Sequence, residues 1–122
     1  MKILYVEDNP INAMIIETAL SRQGHEMTIA STAEAALEEV SKGVFELVLM
    51  DINLGESDID GTELMHMIRK EYPAYQEIPF FAITAYALEA DRNRFLRLGF
   101  QQFFAKPIDI DELINTLTWM VS

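Results

Sequence analysis

Four residues capable of ionic chemistry stand where apolar runs stop. Phe45 to Met50 is apolar but for Glu46 and ends at Asp51, and the run ILYV near the N-terminus leads directly into Glu7 and Asp8. Further along, IPFFAI (78–83) is followed by Thr84, and FQQFFA (100–105) by Lys106 and Pro107. A buried strand that delivers a charge at its end is unfavourable unless the charge is paired or used. Carboxylates that converge raise one another's pKa, so a cluster of three calls for a cation. Oxygen donors suit Mg²⁺, with Mn²⁺ as a substitute. A carboxylate kept ionised in this way can attack phosphorus and form an acyl phosphate. A lysine ammonium and a threonine hydroxyl on the same rim supply countercharge and a hydrogen bond to the phosphoryl oxygens.

That chemistry requires a fold that gathers the ends of separate strands. The chain alternates short apolar runs with helical patterns. KILYV (2–6) reads as a buried strand; Asn9 and Pro10 then start a helix with Ile11, Met14, Ile15 and Ala19 at helical spacing, closed by Gly24. EMTIA (26–30) alternates like an edge strand, and Ser31 with Glu34 forms a capping box ahead of Ala36, Leu37 and Val40. FELVLM (45–50) is the third strand. A helix from about 60 to 72 has Asp60 and Glu63 at capping-box spacing, and the fourth strand is 78–83. A helix from about 86 to 98 ends at Gly99, the fifth strand is 100–105, and Asp109 with Glu112 caps a last helix carrying Leu113, Ile114, Leu117 and Val121.

Five strand–helix pairs in succession predict a parallel sheet covered by helices on both faces. The first, third and fourth strands are continuously apolar and belong in the centre; the second and fifth carry Thr28, Gln101 and Gln102 and belong at the edges. The expected fold is a doubly wound, flavodoxin-like (βα)5 sheet in the order 2-1-3-4-5. Ligands in such sheets bind beyond the carboxyl ends of the strands, where the order reverses. That point lies between strands one and three, which end in Glu7–Asp8 and Asp51.

Composition narrows the function classes. The 122 residues suffice for a single domain spanning 1–122 with a real core. Half are hydrophobic and none is Cys, which excludes a disulfide framework and a thiol nucleophile and suits the cytoplasm. No apolar run approaches the ~20 residues of a membrane span. A net charge of −11 repels nucleic acid and anionic lipid, and favours cations and basic partner surfaces. His25 and His66 have neither metal-ligand spacing nor a nucleophile beside them.

The set EDN at 7–9, DIN at 51–53, TAYA at 84–87 and KP at 106–107 resembles the response-regulator receiver domain of two-component signalling, over essentially the whole chain. The resemblance implies a signalling domain, not a turnover enzyme, in which Asp51 accepts a phosphoryl group from a sensor histidine kinase or a histidine phosphotransfer protein. It implies that Glu7, Asp8, Asp51 and the Asn53 backbone carbonyl hold Mg²⁺, directly or through water. It implies that Lys106 and Thr84 bind the phosphoryl oxygens, and that the Lys106–Pro107 peptide is cis. Phe103 occupies the place of the family's switch aromatic and would turn inward as Thr84 moves, altering a surface for a downstream protein target; a plain core role is the equal alternative. Phe95, Leu96 and Trp119 are expected to be partly exposed there. Tyr86 flanks the site. The sequence departs from the family after Asn53: Leu54–Gly55 replaces the usual Met-Pro turn, and Gly61 lies ten residues after Asp51, two more than usual, in a loop enriched in acid (Glu56, Asp58, Asp60).

Two other functions compete. A haloacid-dehalogenase-type phosphatase also uses a strand-end Asp with Mg²⁺, but wants an acid two residues later, where this chain has Asn53. A receiver-fold adaptor that binds without phosphorylation usually lacks an acid or the lysine, and all are present here. The chain ends after the fifth helix, so the expectation is a stand-alone regulator or a receiver cut from a hybrid kinase.

Overall fold

The computed structural model describes residues 1–55, 59–85 and 89–121. The elements run β1 (Lys2–Val6), α1 (Pro10–Arg22), β2 (Glu26–Ala30), α2 (Ala33–Lys42), β3 (Leu47–Asp51), α3 (Gly61–Glu71), a 3₁₀ turn (Pro73–Gln76), β4 (Phe80–Thr84), α4 (Glu89–Leu98), β5 (Gln102–Ala105) and α5 (Ile110–Val121). All four strand pairings are parallel and the order is β2-β1-β3-β4-β5, as the alternation predicts. β1, β3 and β4 are buried almost throughout, whereas β2 is mostly half-exposed and Gln102 of β5 is exposed.

Strand alternation divides the core into two layers. Ile3, Tyr5, Leu47, Leu49, Phe81, Ile83 and Phe104 pack with Ile16 and Leu20 of α1 and Leu113 and Leu117 of α5. Leu4, Val6, Val48, Met50, Phe80, Ala82 and Phe103 face the other way, onto residues of α2, α3 and α4.

Several local expectations shift. The α1 face turned to the sheet is Ala13, Ile16 and Leu20, while Ile11, Met14 and Ile15 are 63%, 59% and 46% exposed. This helix is apolar around much of its circumference, so spacing alone did not identify the inner face; the small Ala13 lets the helix approach the sheet. The cap of α2 is Thr32, whose hydroxyl accepts from Ala35 N, not Ser31. Starting the helix one residue later puts Ala33, Ala36 and Val40 on the core. β3 and β4 each extend one residue beyond the apolar run, so Asp51 and Thr84 are part of the sheet. β5 begins at Gln102, two residues later than its apolar run. Val121, the last residue of α5, is exposed although it continues the Leu113–Leu117 stripe. The start expected for α4 at Tyr86 falls outside the described residues.

Candidate functional site

Glu7 and Asp8 lie between a strand end and a firmly started helix. Glu7 N donates to Ala30 O, continuing the β1–β2 pairing by one residue. Asn9 then caps α1, its side chain accepting from Ile11 N at 2.9 Å and Asn12 N at 3.0 Å. Two residues are thereby fixed in an abrupt turn. Glu7 points inward and is buried; Asp8 is exposed.

Alternation decides which groups meet. Asp51 shares the parity of Leu47 and Leu49, Glu7 that of Ile3 and Tyr5, and Lys106 that of Phe104, so all three carry over from one sheet layer. Lys106 Nζ lies 3.1 Å from Asp51 Oδ2 and 3.2 Å from Glu7 Oε2. Its backbone N donates to Thr84 O, which fixes the end of β5 to the end of β4. Its peptide bond to Pro107 is cis, as the resemblance implies. Thr84 is fully buried and has the opposite parity, on the layer that holds Phe103.

Ligand oxygens of Glu7, Asp8 and Asp51 all lie within 4.8 Å of one another. This all-oxygen set, with two buried acids and one exposed, fits a hard divalent cation with room for water. Asn53 stands beside it, donating its backbone N–H to Asp51 Oδ1 at 3.2 Å and accepting from Gly55 N through its side chain. Burial, and then the charge of Glu7, pushes the Asp51 carboxyl up to about 7; hydrogen bonding and charge from Lys106 and the Asn53 N–H pull the other way. Lys106 is held above its ordinary value by Asp51 and Glu7, against the opposing effect of burial.

Glycines bring backbone against these acids. Gly61 N donates to Ile52 O at 2.8 Å, and a Cβ at Gly61 would collide with Asp51 O and lie 2.9 Å from Ile52 Cα. Gly55, at φ +68°, leaves no room for a side chain beside Asp8 Oδ2. Asp60 caps α3 by accepting from Glu63 N, as expected.

The fold therefore gathers Glu7, Asp8, Asp51, Asn53, Thr84, Lys106 and Pro107 at one rim. Tyr86, Glu56 and Asp58 lie outside the described residues. Phe103 takes the core position that was the alternative to an outward switch aromatic: it is already inward, with its ring stacked on Phe95 at 5.7 Å between centroids. Phe95 is also buried, not surface-exposed, and meets Phe100 edge-on. Leu96 and Trp119 are exposed as expected, Trp119 by 82%. One neighbour escaped the sequence reading. Tyr5 OH donates to Glu7 Oε2 at 3.1 Å, and burial followed by the Glu7 charge raises the phenol's pKa, keeping it a donor. The signal was available: a residue two before Glu7 on a strand points the same way.

Comparison with known proteins accords with this arrangement. The response regulator receiver domain family matches residues 3–118. An uncharacterized 14.6 kDa protein of Leptolyngbya boryana is 37% identical over 94% of this chain and 86% of its own. The signal transduction histidine-protein kinase BarA of Escherichia coli is 31% identical over 96% of this chain, which spans only 12% of BarA. The crystal structure of the receiver domain of NtrX from Brucella abortus superposes with a TM-score of 0.84 at 31% identity, covering 95% of this chain and 94% of that one. No helix among the described residues is long and apolar enough to cross a membrane. With sheet order, strand-end acids and sequence match in agreement over nearly the whole length, the chain belongs to the response regulator receiver domain family of two-component signalling.

Proposed function

We propose that residues 1–122 act as one receiver domain that takes a phosphoryl group onto Asp51 from a phosphohistidine in a sensor histidine kinase or histidine phosphotransfer protein. An Asp51 oxygen attacks phosphorus, the P–N bond breaks, and its electron pair leaves with the imidazole. The observation that carries this reading is the buried Asp51 carboxylate, 3.1 Å from the Lys106 ammonium and clustered with two further acids. Glu7, Asp8, Asp51 and the Asn53 carbonyl would hold Mg²⁺, which when bound offsets the negative charge of the acids and the incoming oxygens. Mn²⁺ satisfies the same donors. Lys106 stays with the phosphoryl group as countercharge, and the Thr84 hydroxyl donates to it. The product is a signalling state, and no external substrate is turned over.

The exposed Ile11, Met14 and Ile15 follow the site directly along α1 and give the histidine-bearing partner an apolar surface to dock on. The net charge disfavours nucleic acid and anionic membrane as partners, and the lack of cysteine suits an exchange in the cytoplasm. Thr84 and Phe103 share one sheet layer, so movement at Thr84 reaches the Phe103–Phe95 stack and the surface read by a downstream protein. Incubation with acetyl phosphate and Mg²⁺, read by intact mass, tests the reading. A stoichiometric adduct that vanishes in Asp51→Asn is expected. Turnover of phosphate esters, or a full adduct in that variant, would overturn it.

A further inference from the structure

Glu7 is unusually committed for a group offered to a cation. Its Oε2 accepts from Tyr5 OH at 3.1 Å and Lys106 Nζ at 3.2 Å. Its Oε1 accepts from Asn9 N at 3.2 Å and again from Lys106 Nζ at 3.3 Å. A carboxylate has about four acceptor positions, so these contacts fill it. Two of the donors are fixed by the fold: Asn9 N by the start of α1, and Tyr5 OH by a fully buried ring. Lys106 alone is on a flexible stem, and it also pairs with Asp51. When the ammonium leaves to meet a phosphoryl group or makes room for a cation, Tyr5 and Asn9 are what still hold Glu7. Tyr5 also lines a cavity of about 120 Å³ together with Asn12, Ile16, Lys106 and Pro107, so space adjoins the site on that side.

We propose that Tyr5 is a positioning residue for Mg²⁺: its hydroxyl shares Glu7 Oε2 with the Lys106 ammonium and holds the carboxylate in the orientation that serves the cation when the ammonium moves away. The inference rests on the reading of the acid cluster as a Mg²⁺ site. Without the hydroxyl, Oε2 has only the ammonium as partner, and the Glu7–Lys106 pair competes more strongly with the metal. Hydrogen-bond partners that orient a metal-binding group commonly change metal affinity by 10–100-fold.

The test is Mg²⁺ titration by calorimetry on wild type, Tyr5→Phe and Tyr75→Phe. Tyr75 is an equally buried phenol whose hydroxyl accepts from Phe45 N and donates to Gly43 O, ahead of β3 and away from the acids. Its loss removes hydrogen bonds of the same kind without touching Glu7. The expected result is roughly tenfold weaker Mg²⁺ binding in Tyr5→Phe and wild-type binding in Tyr75→Phe. In a Glu7→Gln background, Tyr5→Phe should have no further effect on Mg²⁺ affinity. Wild-type affinity in Tyr5→Phe, equal weakening in both phenylalanine variants, or an undiminished Tyr5 effect in the Glu7→Gln background would each overturn the proposal. If wild type itself binds no Mg²⁺, the reading of the acid cluster falls, and this proposal with it; a wild type that binds Mg²⁺ while Tyr5→Phe matches it removes only the role of Tyr5.

Discussion

Lys106 Nζ bridges Asp51 Oδ2 at 3.1 Å and Glu7 Oε2 at 3.2 Å, so one partly exposed ammonium compensates two buried carboxylates. Replacing it with Met leaves both acids without that cation. Metal-free Lys106→Met is expected to lose roughly 2 kcal/mol in urea unfolding, less than the loss of one partner from a fully buried pair. Mg²⁺ should restore much of that stability, because it binds the native state alone. A Lys106→Met variant as stable as wild type in EDTA would show that the bridge is not structurally needed.

The Asp51 carboxyl, raised to about 7 in the metal-free protein, gives a second prediction. The native state holds this proton more tightly than the unfolded chain does. The resulting stabilisation is complete below the ordinary carboxylate range and is lost as pH rises through about 7. Between about pH 5 and about pH 8, metal-free wild type should lose stability relative to Asp51→Asn, with a slope of at most about 1.4 kcal/mol per pH unit. Lys106 is raised from an already high value and does not titrate in that window. Parallel pH profiles for the two proteins, measured in EDTA by urea unfolding, would count against a raised Asp51.

Exposed Met14 and Ile15 should matter to a partner and not to the chemistry. Met14→Asp is expected to slow phosphotransfer from a histidine partner by about tenfold, the order of a lost apolar anchor. Labelling by acetyl phosphate, which needs no docking helix, should proceed at the wild-type rate. If both reactions slow together, the substitution has disturbed the site, and α1 is not the docking surface.

The Phe103–Phe95 stack changes what switching must involve. With the ring already inside, phosphorylation would bias a repacking of buried aromatics and not an inward turn. Such a bias extends only as far as the two packings differ in affinity for the phosphorylated site. Beryllofluoride should move the amide resonances of Thr84, Phe103 and Phe95, and Phe103→Ala should cost about 3 kcal/mol in stability. Shifts restricted to the segments around Asp51 would point instead to the acidic loop between Gly55 and Asp60.

The sheet and its rim were legible because each central strand is an unbroken apolar run, and each run stops at an acid or at Thr84. Strand order followed from which runs were interrupted by polar residues. Helix faces were less legible. In α1, Ile11, Met14 and Ile15 are as apolar as the residues that face the sheet, and only packing distinguishes them. The capping-box spacing of Ser31 and Glu34 pointed one residue too early, and the burial of Ala33, Ala36 and Val40 accompanies a cap at Thr32. The Tyr5–Glu7 hydrogen bond was hidden by the strand's apolar character, since a tyrosine in such a run reads as core. Phe95 read as partly exposed, and Phe103 could be read as a switch or as core, because no sequence pattern records that their rings stack.

Gly61 has a consequence for how such a domain can be re-engineered. The chain after β3 can vary in length provided it lands with Gly61 beneath the Asp51 carbonyl. Gly61 N on Ile52 O marks that landing point, and the missing Cβ keeps it open. Loops grafted between Gly55 and Asp60 that keep both glycines are expected to leave Asp51 in place, which labelling by acetyl phosphate would check. A cassette that carries any side chain at the landing position would push on the strand that presents Asp51, whatever the rest of its sequence.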